Sequence, residues 1–456
     1  MDEYRVETDS LGEVEVPKEA LWGAQTQRAI ANFPVSGLRL CRAMIYALGC
    51  IKEAAAMSNA ELGRLPRPRA EAIALAARRV AEGEVDDQFP VDIFQTGSGT
   101  SSNMNFNEVI AHLATEHLGE AVHPNDDVNL GQSSNDVFPS AIHIAAVIQG
   151  EQLLAALIHL RDTISRRAAE LKEVVKTGRT HLMDAMPLTL GQELSGWAAQ
   201  IDENCSRIQQ TLRPLYNLAL GGTAVGTGVN TDRNFVTGCL PWLHQSTGIQ
   251  FMETTNHFAS QSSMDDAAAL SAQLKTLAIG LLKICNDLRW MNSGPEAGLA
   301  EITLPAVQPG SSIMPAKVNP VIPESTAMVC AQVIGNDAAI TVAASSGNFQ
   351  LNTMLPVFAH NLLYSLTILT NSCWLLADHA IAGFEVNRER LAEQLARNPV
   401  IATALTPKLG YDATAEIIKW AIETRTPIRE AVLKKTKLSE QEVDRLLDPA
   451  ALTGKP

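Results

Sequence analysis

Between Ala267 and Met291 the apolar residues Leu270, Leu274, Leu277, Leu281, Ile284, Leu288 and Met291 follow one another in alternating steps of four and three. That spacing lines them along one stripe of an α-helix, and a stripe sustained over three heptads needs a packed partner along its whole length. A second stripe runs through Leu153, Leu157, Leu160, Ile164, Ala168 and Leu171. A third runs through Leu190, Leu194, Trp197, Ile201, Ile208 and Leu215, with a polar break near Asn204. The three stripes predict long helices whose apolar faces form the core of a bundle, with further helices after Pro323. Aromatic residues make up only 5% of the chain, which suits close-packed helices better than sheets, so the expected class is all-α.

From Ala338 to Ala377 there is no Asp, Glu, Lys or Arg. Ser345, Ser346, Asn348, Gln350, Asn352, Pro356 and Asn361 interrupt this stretch, and lipid would leave them unsatisfied. It is read as a buried helix pair. Before residue 135 the pattern is shorter and broken by Gly and Pro, and after about residue 388 charge returns. Three domains are expected: a mainly helical one over 1–132, a long-helix domain over 133–388 and a small helical one over 389–456.

The net charge of −14 disfavours nucleic acid or an anionic membrane as a general partner. An anionic substrate remains possible if a few placed cations and local donors hold it. The seven cysteines are scattered and never spaced C-x-x-C, which argues against a disulfide framework, a zinc site or an iron–sulfur cluster. No metal or cofactor is expected. MDEYRVETD at the start has neither a basic region nor an apolar run, and the cytoplasm is the expected compartment.

Four polar islands stand out against the helical background. In Gln95–Glu108, Gly97 and Gly99 flank Ser98 and are followed by Thr100, a pattern that lets backbone N–H groups and hydroxyls converge on an anion or simply cap a helix. In His123–Asp136, the residues His123, Pro124, Asn125 and Asp126 precede Ser133, Ser134 and Asn135. The serine end reads as a helix N-cap, which is itself compatible with carboxylate binding. In Gly178–Glu193, Arg179, Thr180 and His181 stand together ahead of an expected helix, and an imidazole there could relay a proton in either direction. In Gly310–Glu324, two serines, a proline, a lysine and an asparagine crowd a Gly/Pro-bounded loop that no helix or strand pattern explains. Lys317 can neutralise a carboxylate with Asn319 donating beside it, and Ser311 or Ser312 can carry a proton if the loop stabilises the alkoxide.

GSSIMPAKVNP (Gly310–Pro320) resembles the signature loop of the aspartase/fumarase superfamily, G-S-S-x-M-P-x-K-x-N, and the likeness extends to the other three islands and to LGGTAVGTGVN (Leu220–Asn230). The resemblance implies a three-domain helical fold. It also implies a homotetramer whose central helices form a twenty-helix core, with each active site shared by three subunits. HPNDDVN and GRTH resemble the members that hydrate fumarate, whereas those that deaminate aspartate usually carry Gln where His181 stands. PAKVNPVIPE leans the other way, since many fumarate-hydrating members have Gly at the place of Ala316. Glu296 replaces an Arg common in both groups. With His181 weighted over Ala316, reversible hydration of fumarate to L-malate is expected, and aspartate ammonia-lyase is the alternative.

By resemblance, Ser311 is the base, and His181 with Glu324 handles the proton of the departing or attacking water. The substrate's carboxylates fall to Ser98, Gly99, Thr100, Ser133, Ser134, Asn135, Thr180, Ser312, Lys317, Val318 and Asn319. His123, Pro124, Asn125 and Asp126 match a second dicarboxylate site.

Overall fold

The computed structural model describes residues 4–454. A hairpin of β1 (Tyr4–Asp9) and β2 (Gly12–Pro17) is followed by α1 (Ala24–Asn32), α2 (Arg42–Glu61), α3 (Arg67–Glu82) and α4 (Thr100–Leu118). Then comes α5 (Ser134–Glu170), whose 37 residues span about 55 Å at the α-helical rise. An antiparallel pair, β3 (Val175–Thr180) and β4 (Met183–Thr189), leads into α6 (Leu190–Leu212). After β5 (Asn217–Leu218), α7 (Phe235–Thr247), β6 (Met252–Glu253) and α8 (His257–Ser262), the chain enters α9 (Asp265–Met291). Next come β7 (Ile302–Thr303), α10 (Val321–Ala344), β8 (Gly347–Asn348), β9 (Leu351–Asn352), α11 (Leu355–Leu376) and β10 (Glu385–Val386). Five short helices close the chain: α12 (Arg388–Arg397), α13 (Thr406–Leu409), α14 (Tyr411–Thr424), α15 (Ile428–Lys435) and α16 (Glu440–Leu446).

The all-α expectation holds in substance, because helices dominate and every described sheet is a two-stranded pair. The stripes that predicted the long helices are core. Every stripe residue of α9 is at most 3% exposed, as are Leu153, Leu157, Leu160 and Ile164 of α5 and Leu190, Leu194, Trp197 and Ile201 of α6. Asn204, the polar break, is also buried, and its side-chain amide donates to the Gln200 carbonyl one turn back at 2.7 Å. A buried amide satisfied inside its own helix interrupts the apolar stripe at little cost. The uncharged stretch after residue 338 resolves into the end of α10, the tight β8–β9 hairpin and α11. Asn352 ties the hairpin to α10 by donating to the carbonyls of Ala343 (2.9 Å) and Ala344 (3.2 Å).

The chain divides into two compact units. The first takes residues up to 154 together with 206–278 and 331–370. In it α2, almost wholly buried, packs on α3 and α7, and α3 packs on α4. The second takes 155–205, 279–330 and the residues from 371 onward. It carries the β3–β4 hairpin, the Gly310–Pro320 loop and the short terminal helices. Those helices enclose a core of their own, built on Ile401, Leu405, Ile417, Ala431, Val432 and Val443.

Candidate active site

In the first unit, two islands meet at two helix N-termini. Ser133 is the N-cap of α5. Its hydroxyl accepts from Asn135 N at 3.2 Å, and its own N–H is taken by the Asp136 carboxylate at 2.9 Å. The capping expectation holds, and it leaves carboxylate binding open, since a capped helix end still has further N–H groups directed outward. α4 begins at Thr100, and Thr100 Oγ1 lies 2.7 Å from both Ser98 Oγ and Ser134 Oγ. Three hydroxyls in a row own three protons but use only two between themselves, so one remains to donate outward. The spacing depends on two glycines. A Cβ on Gly97 would stand 1.8 Å from the Thr353 carbonyl, and one on Gly99, at φ +75°, would stand 2.2 Å from the Phe138 ring. Asn135 is held by donation to the Ala224 carbonyl at 2.8 Å, which brings the Leu220–Asn230 loop to the same place.

His123 stands on the same unit in a different role. Its Nδ1 accepts from the backbone N–H groups of Asn125 (3.3 Å) and Asp126 (3.0 Å), so it caps the turn Pro124–Val128. The Asp126 carboxylate also lies 3.4 Å from Nδ1. A nitrogen that accepts two N–H groups carries no proton, so the cap describes the contact better than an ion pair does. His123, Pro124 and Asn125 line a cleft with Arg5, Trp22 and His112. His123→Asn should change kcat/KM less than about threefold, because an asparagine oxygen can accept the same cap bonds. A steady-state assay of the variant checks this.

In the second unit, the third island is a hairpin, and the helix expected there starts only at Leu190. Thr180 pairs with Met183, leaving His181 and Leu182 as the two turn residues at φ +55° and +60°. Positive φ at both central positions is the type I′ pattern, normally taken by Asn and Gly. A leucine there is strained, and such strain persists only where the surroundings enforce it. They do so through ion pairs. The buried Lys176 ammonium lies 2.6 Å from Glu193 and 2.8 Å from Glu301, and Arg179 lies 2.7 Å from the same Glu301. A register shift between Thr177 and Arg179 turns the strand just before the tip. Thr180 and His181 project into solvent within the single chain.

The fourth island is a closed loop. Ser311 N donates to the Lys317 carbonyl at 3.1 Å, and a Cβ on Gly310 would stand 1.8 Å from that oxygen. Ser311 is half-buried, whereas Ser312, Lys317 and Val318 are exposed. Lys317, Val318, Asn319 and Glu324 line one cleft with Asn286, Arg289 and Trp290 of α9. Arg289 and Asn286 were not singled out from sequence. They occupy polar positions beside the α9 stripe, where charges usually mean only a solvated face. Ala316 sits at φ +69°, a left-handed conformation that glycine adopts without strain. Ala316→Gly should raise stability by about 0.5–1 kcal/mol and change turnover less than about twofold. The thermal midpoint, read alongside activity, tests this.

Ser98, Thr100, Ser134 and Asn135 are thus together in one unit, and Lys317, Asn319 and Glu324 in the other. Among the described residues of the single chain, His181 shares no hydrogen bond or ion pair with Glu324 or Ser311.

Hydroxyls gathered at two helix N-termini in one unit and a lysine-bearing serine loop in the other are groups of the kind that a lyase acting on carboxylates uses. The profile of the lyase family matches residues 12–335, and that of the fumarase C C-terminus matches residues 401–454. Class II fumarate hydratase of Xylella fastidiosa is 57% identical over 99% of this chain and 96% of its own length. The relative named fumarate hydratase class II 2 of Pseudomonas aeruginosa is 55% identical over 100% and 99%. The crystal structure of class II fumarase from Schistosoma mansoni superposes with a TM-score of 0.96 at 38% identity, covering 99% of each chain. The chain belongs to the class II fumarate hydratase family of lyases.

Proposed function

We infer that the chain catalyses the reversible hydration of fumarate to L-malate. The observation that carries this reading is full-length identity above 50% to fumarate hydratases, together with a histidine at position 181 rather than the glutamine usual in aspartases.

In the dehydration direction, a base removes a weakly acidic C3 proton and the C2 hydroxyl leaves as water. The electron pair released at C3 is tolerable only if the adjacent carboxylate takes it up as a doubly charged aci-carboxylate. The site must therefore bind that species better than it binds the ground state. We assign Ser311 as the base. Lys317 and Asn319 stabilise the growing charge, with Ser312 and Val318 completing the loop's side of the site. Ser98, Gly99, Thr100, Ser133, Ser134, Asn135 and Thr180 hold the carboxylates from the other islands. His181, oriented by Glu324, delivers the proton to the leaving hydroxyl, and in hydration it takes one from the attacking water. No cofactor is required by this chemistry. The second dicarboxylate site falls at His123, Pro124, Asn125 and Asp126.

Because His181 does not reach Glu324 within one chain, the pair is proposed to form between subunits of a homotetramer with a twenty-helix core and active sites shared by three chains. Large apolar side chains left uncovered on the long helices support this, among them Ile279, Met328 and Val342, each more than half exposed. The three-domain division at residues 132 and 388 belongs to the same reading, as does a cytoplasmic location, which the seven free thiols suit. The test is the ultraviolet absorbance of fumarate on mixing the protein with L-malate and, separately, with L-aspartate. Absorbance from malate alone is expected, and absorbance from aspartate alone would make this an aspartate ammonia-lyase.

A further inference from the structure

We propose that Lys52 is a positioning residue for substrate binding: from the buried face of α2 it holds the Asn129–Gln132 segment, and thereby the Ser133–Asn135 donors, in register with Ser98 and Thr100. The proposal rests on the assignment of those donors to the substrate's carboxylates.

Lys52 is fully buried on α2 beside Glu53, itself buried and paired with Arg78, and the mechanism makes no use of the lysine. A lysine kept in such a place needs partners, because an unpaired buried ammonium is strongly disfavoured. Its Nζ donates to Asn129 Oδ1 and to Gln132 Oε1, both at 3.0 Å. Gln132 is the residue immediately before Ser133, the cap of α5. Asn129 Oδ1 also accepts from Asn103 Nδ2 at 3.1 Å, and Asn103 lies one turn into α4, the helix that begins at Thr100. A single amide oxygen therefore joins Lys52, the α4 island and the α5 island. Two turns along α2, Asn59 donates to the Leu130 carbonyl at 3.0 Å and grips the same segment again.

Beyond Gln132 the path reaches Asp136, also fully buried. Its carboxylate accepts the N–H groups of Ser133 (2.9 Å), Gly221 (2.9 Å) and Thr223 (3.0 Å), tying the cap to the Leu220–Asn230 loop. Burial pushes the Lys52 ammonium down to about 7, while the Asp136 charge pulls the other way. Burial likewise pushes Asp136 up, against the pull of its backbone donors. Neither group is comfortable, and the arrangement persists because each part satisfies another. What it fixes is the spacing of hydroxyls that must meet one dicarboxylate.

Lys52→Met keeps the length and apolar body of the side chain but removes the grip. Holding the substrate equally in ground and transition states affects KM rather than kcat. We expect KM for L-malate to rise about tenfold, with kcat reduced less than about threefold and with assembly and thermal midpoint close to those of the unaltered protein. Gln132→Met, which leaves the lysine in place, should raise KM in the same way and serves if the first variant does not fold. Asn103→Ala should raise KM alone but add little in the Lys52→Met background, since both act through Asn129. Ser134→Ala, measured beside them, separates the two ideas. If it raises KM and neither Lys52→Met nor Gln132→Met does, the positioning role is overturned and the donor assignment stands. If none of the three raises KM, both are overturned. A parallel fall in kcat and thermal midpoint in the Lys52 and Gln132 variants would make the network merely structural and would also overturn the proposal.

Discussion

Replacing Ser311 by alanine should lower kcat by roughly 10³-fold or more while leaving the fold and the assembly intact. The expected loss is large because the step it removes has no substitute within the loop. Ser312 is exposed and offset by one residue, and Lys317 is a cation whose value lies in attracting the carboxylate. The expected structural cost is small. The Ser311 hydroxyl's one hydrogen bond among the described residues is a long one, from Ile313 N at 3.4 Å. The loop is closed instead by the Ser311 backbone N–H on the Lys317 carbonyl, which alanine retains. Thermal stability should therefore shift by less than about 1 kcal/mol. The two serines can be told apart by their kinetic signatures. A lost base lowers kcat with KM little changed, whereas a lost carboxylate donor at Ser312 raises KM. Near-normal turnover by Ser311→Ala would remove that residue from the role of base.

The parts of this protein legible in its sequence are those where local pattern and global fold agree. The α9 stripe could be read directly because each of its residues is buried on one face, and the Gly310–Pro320 loop could be read because no helix or strand tolerates that composition. The hairpin under His181 was hidden for the opposite reason. Turn residues of type I′ are ordinarily Asn or Gly, and His181–Leu182 adopts the conformation under constraint from Lys176, Arg179 and Glu301, over one hundred residues apart in the chain at the extremes. Propensity yields there to packing and charge, as it often does at functional sites. Arg289 and Asn286 were missed because they sit beside an apolar stripe, where polar residues are expected anyway. Lys52 was missed because the adjacent Lys and Glu of IKEAAA look like a solvated face until α2 is seen to be enclosed. Gly97 and Gly99 could be recognised as turn-formers, but only the Thr353 carbonyl and the Phe138 ring explain why a side chain is impossible at each.

His181→Asn should lower kcat by about 10²- to 10³-fold and should do so without loosening the hairpin. Asparagine tolerates left-handed backbone at least as well as histidine, so φ near +55° at this position costs the variant nothing extra. The ion pairs of Lys176, Arg179, Glu193 and Glu301 are untouched by the change, and His181 itself is exposed in the single chain. What disappears is a ring nitrogen that can pass a proton between water and the substrate oxygen, since an amide cannot do so. Proton delivery to the leaving hydroxyl then falls to water, which is poorly placed. Added free imidazole should restore part of the kcat lost in His181→Asn, whereas it should leave the His123→Asn variant unchanged. That contrast is stronger than a comparison of rates alone, because the loss of a histidine that merely shaped the hairpin would not be rescued by a free base. A severe loss at His123 with a mild one at His181 would mean that the catalytic and second dicarboxylate sites are exchanged.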